Sequence, residues 1–226
     1  MSNVGHGKKF EHAREKVLLV ASRMFLEKGY SDTTIKAISA ETKLAIGSIV
    51  NVFRCKEDLL SELFHNILES QFVASEKLLD GVTEDKVLFY AFETVLQLHI
   101  AESSEHMREL YSVAYSMPKT AEIIYRALTN KLAEIFKEYL PDLEMKDFYE
   151  REIASGGIMR GFMTVPCGIY FTMDRKIKAF LETTFLVYEV PKEKIAEAIE
   201  FVSRFDFKKI AAEVIENMFA YLESKI

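Results

Sequence analysis

From Thr34 to Phe53 the chain reads TIKAISAETKLAIGSIVNVF, and it runs on through Arg54, Cys55 and Lys56 into Glu57-Asp58-Leu59-Leu60. Two short helices are written into this stretch. In the first, Ile35 and Ile38 share an inner face, and the Ser31-Asp32-Thr33-Thr34 run ahead of them offers side-chain oxygens to the orphan N–H groups of a helix start. That helix is expected to end near Glu41 or Thr42. The second fits Ala45 to Val52, with Ile49 and Phe53 four apart and able to close onto Ile38 and Leu44. Two short helices joined by a tight turn make a helix-turn-helix unit.

Working outward, Phe10 to Lys28 places Val17, Leu18, Ala21, Met24 and Phe25 on one face of a helix, and Gly29 supplies the glycine that commonly closes one. On the other side, Lys56 to about Leu79 reads as a long helix with a broad stripe that includes Leu59, Leu63, Ile67 and Phe72. Glu57 and Asp58 sit in its first turn, where acidic groups suit the helix dipole. Asp80-Gly81 breaks the pattern. Beyond it, helices are expected at roughly 83–102, 104–116, 119–139, 145–165, 174–188, 192–204 and 206–224, punctuated by Pro118, Pro141, Pro166 and Pro191.

Composition agrees with an all-α chain. Nine Gly and four Pro in 226 residues are too few turn formers for a β-sandwich, and 49% apolar content with 28% charge is that of a folded domain. No run approaches the ~20 apolar residues of a membrane span, and Met1 to Lys9 carries no apolar stretch of the signal-peptide kind, so a cytoplasmic protein is expected. Cys55 and Cys167 have no metal-ligand spacing and read as reduced thiols. His65, His99 and His106 lack the i, i+4 pairing of helical metal sites, and no phosphate loop, nucleophile elbow or HExxH motif occurs. Neither a cofactor nor an enzyme is expected.

The net charge of −6 is unevenly spread. Met1 to Lys56 holds ten basic residues against five acidic ones, which leaves 19 basic and 30 acidic residues for the rest. A positive head on a negative body points to a polyanionic partner for the head alone.

The stretch from Thr34 to Leu60, with Phe25-Leu26-Glu27-Lys28-Gly29-Tyr30 ahead of it, resembles the DNA-binding region of the TetR (tetracycline-repressor-like) transcriptional regulators. Their pattern reads roughly T-v-x-x-I-A-x-x-A-G-v-s-x-g-t-l-Y-x-y-F-x-x-K-e-x-L. The resemblance implies three parts: a three-helix DNA-binding domain over 1–56, a connecting helix over 57–80, and a helical ligand-binding and dimerisation domain over 81–226. It also implies a homodimer on double-stranded, palindromic operator DNA, released by a small apolar or aromatic inducer. On the helix-turn-helix geometry, Ala45, Ile46, Gly47, Ser48 and Asn51 would meet bases and backbone, with Thr34, Lys36, Lys43 and Lys56 as flanking phosphate contacts. Lys8 and Lys9 would add non-specific attraction. The chain departs from the pattern at Thr42-Lys43, where the family has Ala-Gly and a left-handed lysine would be strained; at Ala45, which cannot cap; and at Val50 and Val52, which stand where aromatics are usual.

In the body, aromatic and sulfur side chains are abundant. Phe92, Met107, Tyr111, Tyr115, Tyr125, Met159 and Phe162 are the candidate lining of a ligand pocket, because a buried tyrosine needs a hydroxyl partner and a mixed aromatic cavity suits a flat or acyl ligand. Gly156-Gly157 and Gly161 allow close helix packing or a ligand against the backbone. The 145–165 helix and the last helix are the favoured dimer contacts. The competing reading is a helical small-molecule carrier whose head no longer recognises an operator.

Overall fold

The computed structural model describes residues 3–226, with side chains from Phe10 onward. Among the described residues every regular element is helical: α1 (Asn3–Lys28), α2 (Ile35–Thr42), α3 (Ile46–Val52), α4 (Lys56–Leu79), α5 (Lys86–Glu102), α6 (Glu105–Ala114), α7 (Pro118–Phe136), α8 (Met145–Thr164), α9 (Met173–Val187), α10 (Lys192–Val202) and α11 (Phe207–Ser224). The side chains of Lys8 and Lys9 lie outside the described ones, while the backbone of α1 extends seven residues ahead of the expected start at Phe10.

Local chemistry sets most of the boundaries. Thr34, Asp85, Ser104, Thr172 and Asp206 each accept a backbone N–H in the first turn of the helix they open. Glu144 and Asp147 form a reciprocal capping box on α8. Pro118 opens α7, where its missing N–H costs nothing. Asp85 moves the start of α5 three residues past the expected position, because its carboxylate binds the N–H groups of Val87 and Leu88.

The head, α1 to α3, closes over Val17, Ala21, Phe25, Ile38, Ile49 and Phe53, all buried. The long helix α4 carries this core into a second one, where α5 is surrounded: of its seventeen residues thirteen are buried, and it packs against α4, α6, α7, α8, α9, α10 and α11. A helix so enclosed carries the polar residues of its middle, Glu93, Thr94 and Gln97, into the interior. Phe136 stacks on Tyr188 with ring centroids 3.9 Å apart, and Tyr90 meets Phe136 edge-on at 5.1 Å. These rings cap one end of the body core.

Candidate DNA-binding face and effector cavity

Thr34, Lys36, Lys43, Ala45, Ile46, Gly47, Ser48 and Asn51 are all solvent-exposed, and α3 turns Ile49 inward as its buried anchor. The outer face of α3 therefore offers a hydroxyl, a carboxamide and apolar surface from Ile46 and Val50, flanked by lysines. Lys43 adopts the left-handed conformation the sequence anticipated, at φ 57° and ψ 27°. The strained turn is held by hydroxyls: Ser39 donates to the Leu44 carbonyl at 2.6 Å and Thr42 to that of Ile38 at 2.7 Å. Ala45 precedes α3 without a side-chain cap, as expected.

Lys56 differs from the other expected phosphate contacts. Its ammonium donates to the carbonyls of Tyr30 (2.8 Å) and Thr33 (3.0 Å) and lies 4.1 Å from the centroid of the Tyr30 ring. Burial, the largest influence on it, lowers its pKa. Its donors are turned into the protein, where they tie the α1–α2 turn to the start of α4, so its role in the fold is that of a staple.

The same turn is gripped from the body. The Glu109 carboxylate on α6 accepts the N–H groups of Tyr30 (3.1 Å) and Ser31 (2.9 Å), and His106 Nδ1 lies 3.0 Å from the Leu26 carbonyl. Gly29, at φ +88°, leaves room for this: a Cβ there would stand 2.5 Å from the Glu109 carboxylate. Beyond Glu109, the rest of α6 and its C-cap look the other way. Tyr111 reaches Gln71 on α4, and Tyr115 accepts a hydrogen bond from Gln97 Nε2 at 3.0 Å. Sequence reading gave no sign that α6 spans from the head to the interior.

Tyr115 is part of the wall of a partly open cavity of about 40 Å3 bordered by α4, α5, the C-cap of α6, α7, α8 and α9. Aromatic rings of Phe72, Phe89, Tyr90 and Phe180 form much of the lining, with Met159 beside Gly156. Of the seven expected lining residues, Tyr115 and Met159 take that position and five stand off it. Phe92 packs on Phe205 and Phe207, with centroids at 4.9 and 4.8 Å. Tyr111 sits edge-on to Phe64 at 4.9 Å, Phe162 lies against Phe180 at 5.8 Å, and Met107 is buried in the first turns of α6. Tyr125 lies just behind the wall, over Gly156, where a Cβ would come within 2.7 Å of its ring. Gly156 thus serves helix packing, whereas Gly157 and Gly161 face open space.

The polar members of the lining were missed. Glu93, only 6% exposed, and Glu152, 3% exposed, both face the cavity, with Gln97 and Ser155. Burial pushes the Glu93 carboxyl up to about 7, partly offset by the Lys131 ammonium. Burial also pushes Glu152 up to about 8, with the Ser155 hydroxyl working against it and the charge of Glu93 adding to it. Ser155 Oγ donates to Glu152 Oε2 at 2.7 Å and lies 2.8 Å from the Tyr188 hydroxyl, whereas Glu93 Oε1 has no partner among the described residues. A signal was present: Glu93 interrupts the apolar run from Val87 to Leu98, at a phase where a helix surface would already be buried on both sides.

The sequence profile of the bacterial regulatory proteins of the tetR family matches residues 17–63, which span the C-terminal part of α1, all of α2 and α3, and the start of α4. The match covers the helix-turn-helix and the helices on either side of it. Two curated relatives match over short stretches of about seventy residues. The HTH-type transcriptional regulator HbdR of Aromatoleum sp. (strain CIB) is 32% identical over 73 residues, 32% of each chain. The HTH-type transcriptional repressor KstR2 of Mycolicibacterium smegmatis is 29% identical over 70 residues, 31% of this chain and 34% of that one. The chain thus spans about a third of the length of the curated relatives it matches.

Solved structures extend the likeness to the body. RolR in complex with resorcinol superposes with a TM-score of 0.66 over 88% of this chain and 97% of that one, and RolR without ligand with 0.58 over 84% and 96%. At 18% identity the likeness is one of fold. Among the described residues no helix is long and apolar enough to cross a membrane, and no three His, Cys, Asp or Glu side chains cluster as a metal site.

Proposed function

We propose that this protein is a ligand-responsive DNA-binding transcriptional regulator, a repressor that leaves its operator when a small molecule with an aromatic or apolar body occupies the cavity. One observation carries the reading: α6 touches both sites. Glu109 and His106 hold the turn that orients α2 and α3, and Tyr115, which caps the far end of the same helix, forms cavity wall. A ligand that displaces Tyr115 moves a ten-residue rod whose other end grips the head. The connecting helix α4 offers a second route, because it meets the head through Lys56 and meets Tyr111 through Gln71. RolR, whose fold this chain shares, has been crystallised with resorcinol, which supports an aromatic effector.

On this reading Ile46, Gly47, Ser48 and Asn51 enter the major groove, with Ala45 at the edge and Thr34, Lys36 and Lys43 on phosphates. The head (1–56), connecting helix (57–80) and body (81–226) divide the work, and the protein acts in the cytoplasm without catalysing a reaction. Reading a palindrome needs two heads about 34 Å apart, so the working unit is a homodimer. The outer face of α8 supports this, since Ile153, Gly157 and Gly161 stand exposed there, with Leu186 of α9 also exposed at 64%.

The test is selection of duplexes from a random pool by the purified protein, then titration of the winner at two salt concentrations. An enriched palindrome bound with a steep salt dependence is expected. Failure of the folded protein to enrich any sequence would overturn the regulator reading in favour of a carrier.

A further inference from the structure

Glu93 on α5 and Glu152 on α8 approach one cavity from two helices, nearly or fully shielded from water. Other charged groups in the interior are paired: Lys176, also fully buried, donates to Glu102 Oε2 and to the Val165 carbonyl, both at 2.6 Å. Glu93 has no such arrangement. Its Oε1 is unpartnered, and Lys131, the cation that shares the cavity, sits half-exposed with its ammonium 3.1 Å from the centroid of the Phe72 ring. Once both carboxyls give up their protons, the lining, with one lysine, carries an excess negative charge that only an incoming cation would balance. A buried, uncompensated carboxylate is costly to keep, and a partner that supplies positive charge and several N–H donors removes the cost.

The surrounding groups fit the same partner. The faces and edges of Phe72, Phe89, Tyr90 and Tyr115 border the space, and aromatic faces attract cations. Glu152 Oε2 already accepts from Ser155 while Glu93 Oε1 accepts nothing among the described residues, and a neutral hydroxyl could donate to Glu93 but would leave the negative charge uncompensated. We infer that the cavity selects a small organic cation, a primary or secondary ammonium on an aromatic or aliphatic body, with the nitrogen received by Glu93 and Glu152 and the body lying toward Phe89 and Lys131. The space of about 40 Å3 admits an ammonium head with a few carbons. The half-buried Phe89, Leu128, Lys131 and Ile135 between α5 and α7 mark where the remainder leaves the interior. This rests on the reading of the cavity as the effector site and narrows it to one charge class.

The test is calorimetric titration of the full chain, without DNA, with methylammonium, benzylammonium and 2-phenylethylammonium, and with benzyl alcohol, 2-phenylethanol and resorcinol as neutral controls. At least one ammonium is expected to bind tenfold or more tightly than its alcohol. Glu93→Gln and Glu152→Gln are each expected to weaken the cation tenfold or more and to leave the alcohol unchanged. Lys131→Met, which removes the competing charge at the mouth, is expected to tighten the cation severalfold. Cation affinity is also expected to rise from pH 6 to pH 8, as Glu93 on α5 and Glu152 on α8 give up protons opposite Lys131 on α7, while the Tyr90, Tyr115 and Tyr188 hydroxyls stay neutral.

Equal or tighter binding of a neutral control, no saturable binding of any ammonium, or a Glu93→Gln variant that binds the cation as well as the parent would overturn the inference. DNA is absent from this assay, so a failed operator selection would count against the regulator reading and leave the cation result standing. Successful selection with no cation binding would do the reverse.

Discussion

Head and body bury polar groups in different ways. Between Phe10 and Lys56 the buried polar residues are the hydroxyls Ser22, Thr33 and Thr42, and Thr33 and Thr42 donate to the carbonyls of Gly29 and Ile38 four residues earlier. The body buries Glu93, Glu152, Gln71, Gln97 and Lys176. A local hydroxyl bond costs little and specifies a turn. A buried carboxyl without a partner costs stability wherever it is, and a fold that tolerates one has committed that position to something other than holding itself together. The polar chemistry of the head is displayed on its surface, whereas that of the body is stored inside.

The largest expected effect tests whether the body's aromatic rings are packing or ligand surface. Phe136 is fully buried, stacked on Tyr188 and outside the cavity lining, so Phe136→Ala should cost about 3–5 kcal/mol in denaturant unfolding. A loss below 1 kcal/mol would mean that the ring cluster is loose enough to be remodelled by a ligand. Next in size is the dependence on pH. Glu93 and Glu152 hold their protons in the folded state up to about 7 and about 8, above the ordinary glutamate value of 4.5. A raised carboxyl pKa stabilises the fold at low pH and loses that contribution as pH rises through the folded value. Stability should therefore fall between pH 5 and pH 8, with both groups contributing in the same direction. Glu93→Gln should leave stability at pH 5 nearly unchanged, raise it at pH 8 and flatten the slope. An unchanged slope in urea melts would show that the carboxyl is ionised inside the protein at all of these values.

The head was legible because its pattern is local. Ile38, Leu44, Ile49 and Phe53 close a core within twenty residues, Gly29 and the Thr34 cap fix the boundaries, and what remains on α3 must face outward. Lys56 escaped this logic because its partners, the carbonyls of Tyr30 and Thr33, are backbone atoms more than twenty residues away that sequence does not advertise. In the body the helices were legible from Pro and capping residues, while the cavity was not. Which face of a helix meets a void depends on the phases of several helices together, so Phe92 packs on Phe205 and Phe207 while Tyr115 reaches the cavity. Glutamate also reads as surface by default, so Glu93 passed unnoticed in the middle of an apolar run.

Smaller effects belong to the head's surface. If α3 reads bases, Asn51→Ala should cost about 1–3 kcal/mol on the selected operator and relax preference at one base pair, as measured by competition among single-base variants. Equal loss on all sequences would reassign Asn51 to the phosphates. Lys36→Ala should weaken binding evenly and lower the slope of log K against log salt by roughly one.

Lys43 gives the smallest change and the sharpest contrast, because its two expected consequences have opposite signs. Its φ of 57° places a branched-off side chain in a region that L residues resist, and the side chain is exposed, so nothing packed is lost by removing it. Lys43→Gly relieves the left-handed strain, worth about 1 kcal/mol, against the extra freedom that glycine brings to the unfolded chain and the loss of a cation beside the C-terminus of α2. The net should be a stabilisation of about 0.5 kcal/mol in urea melts, together with weaker and less salt-sensitive DNA binding. A stabilised protein with unaltered DNA affinity would mean that the lysine contacts no phosphate and that its strain serves no function in recognition. A destabilised one would mean that the Ser39 and Thr42 hydroxyl bonds set the turn so firmly that Lys43, the residue after them, carries no strain to release.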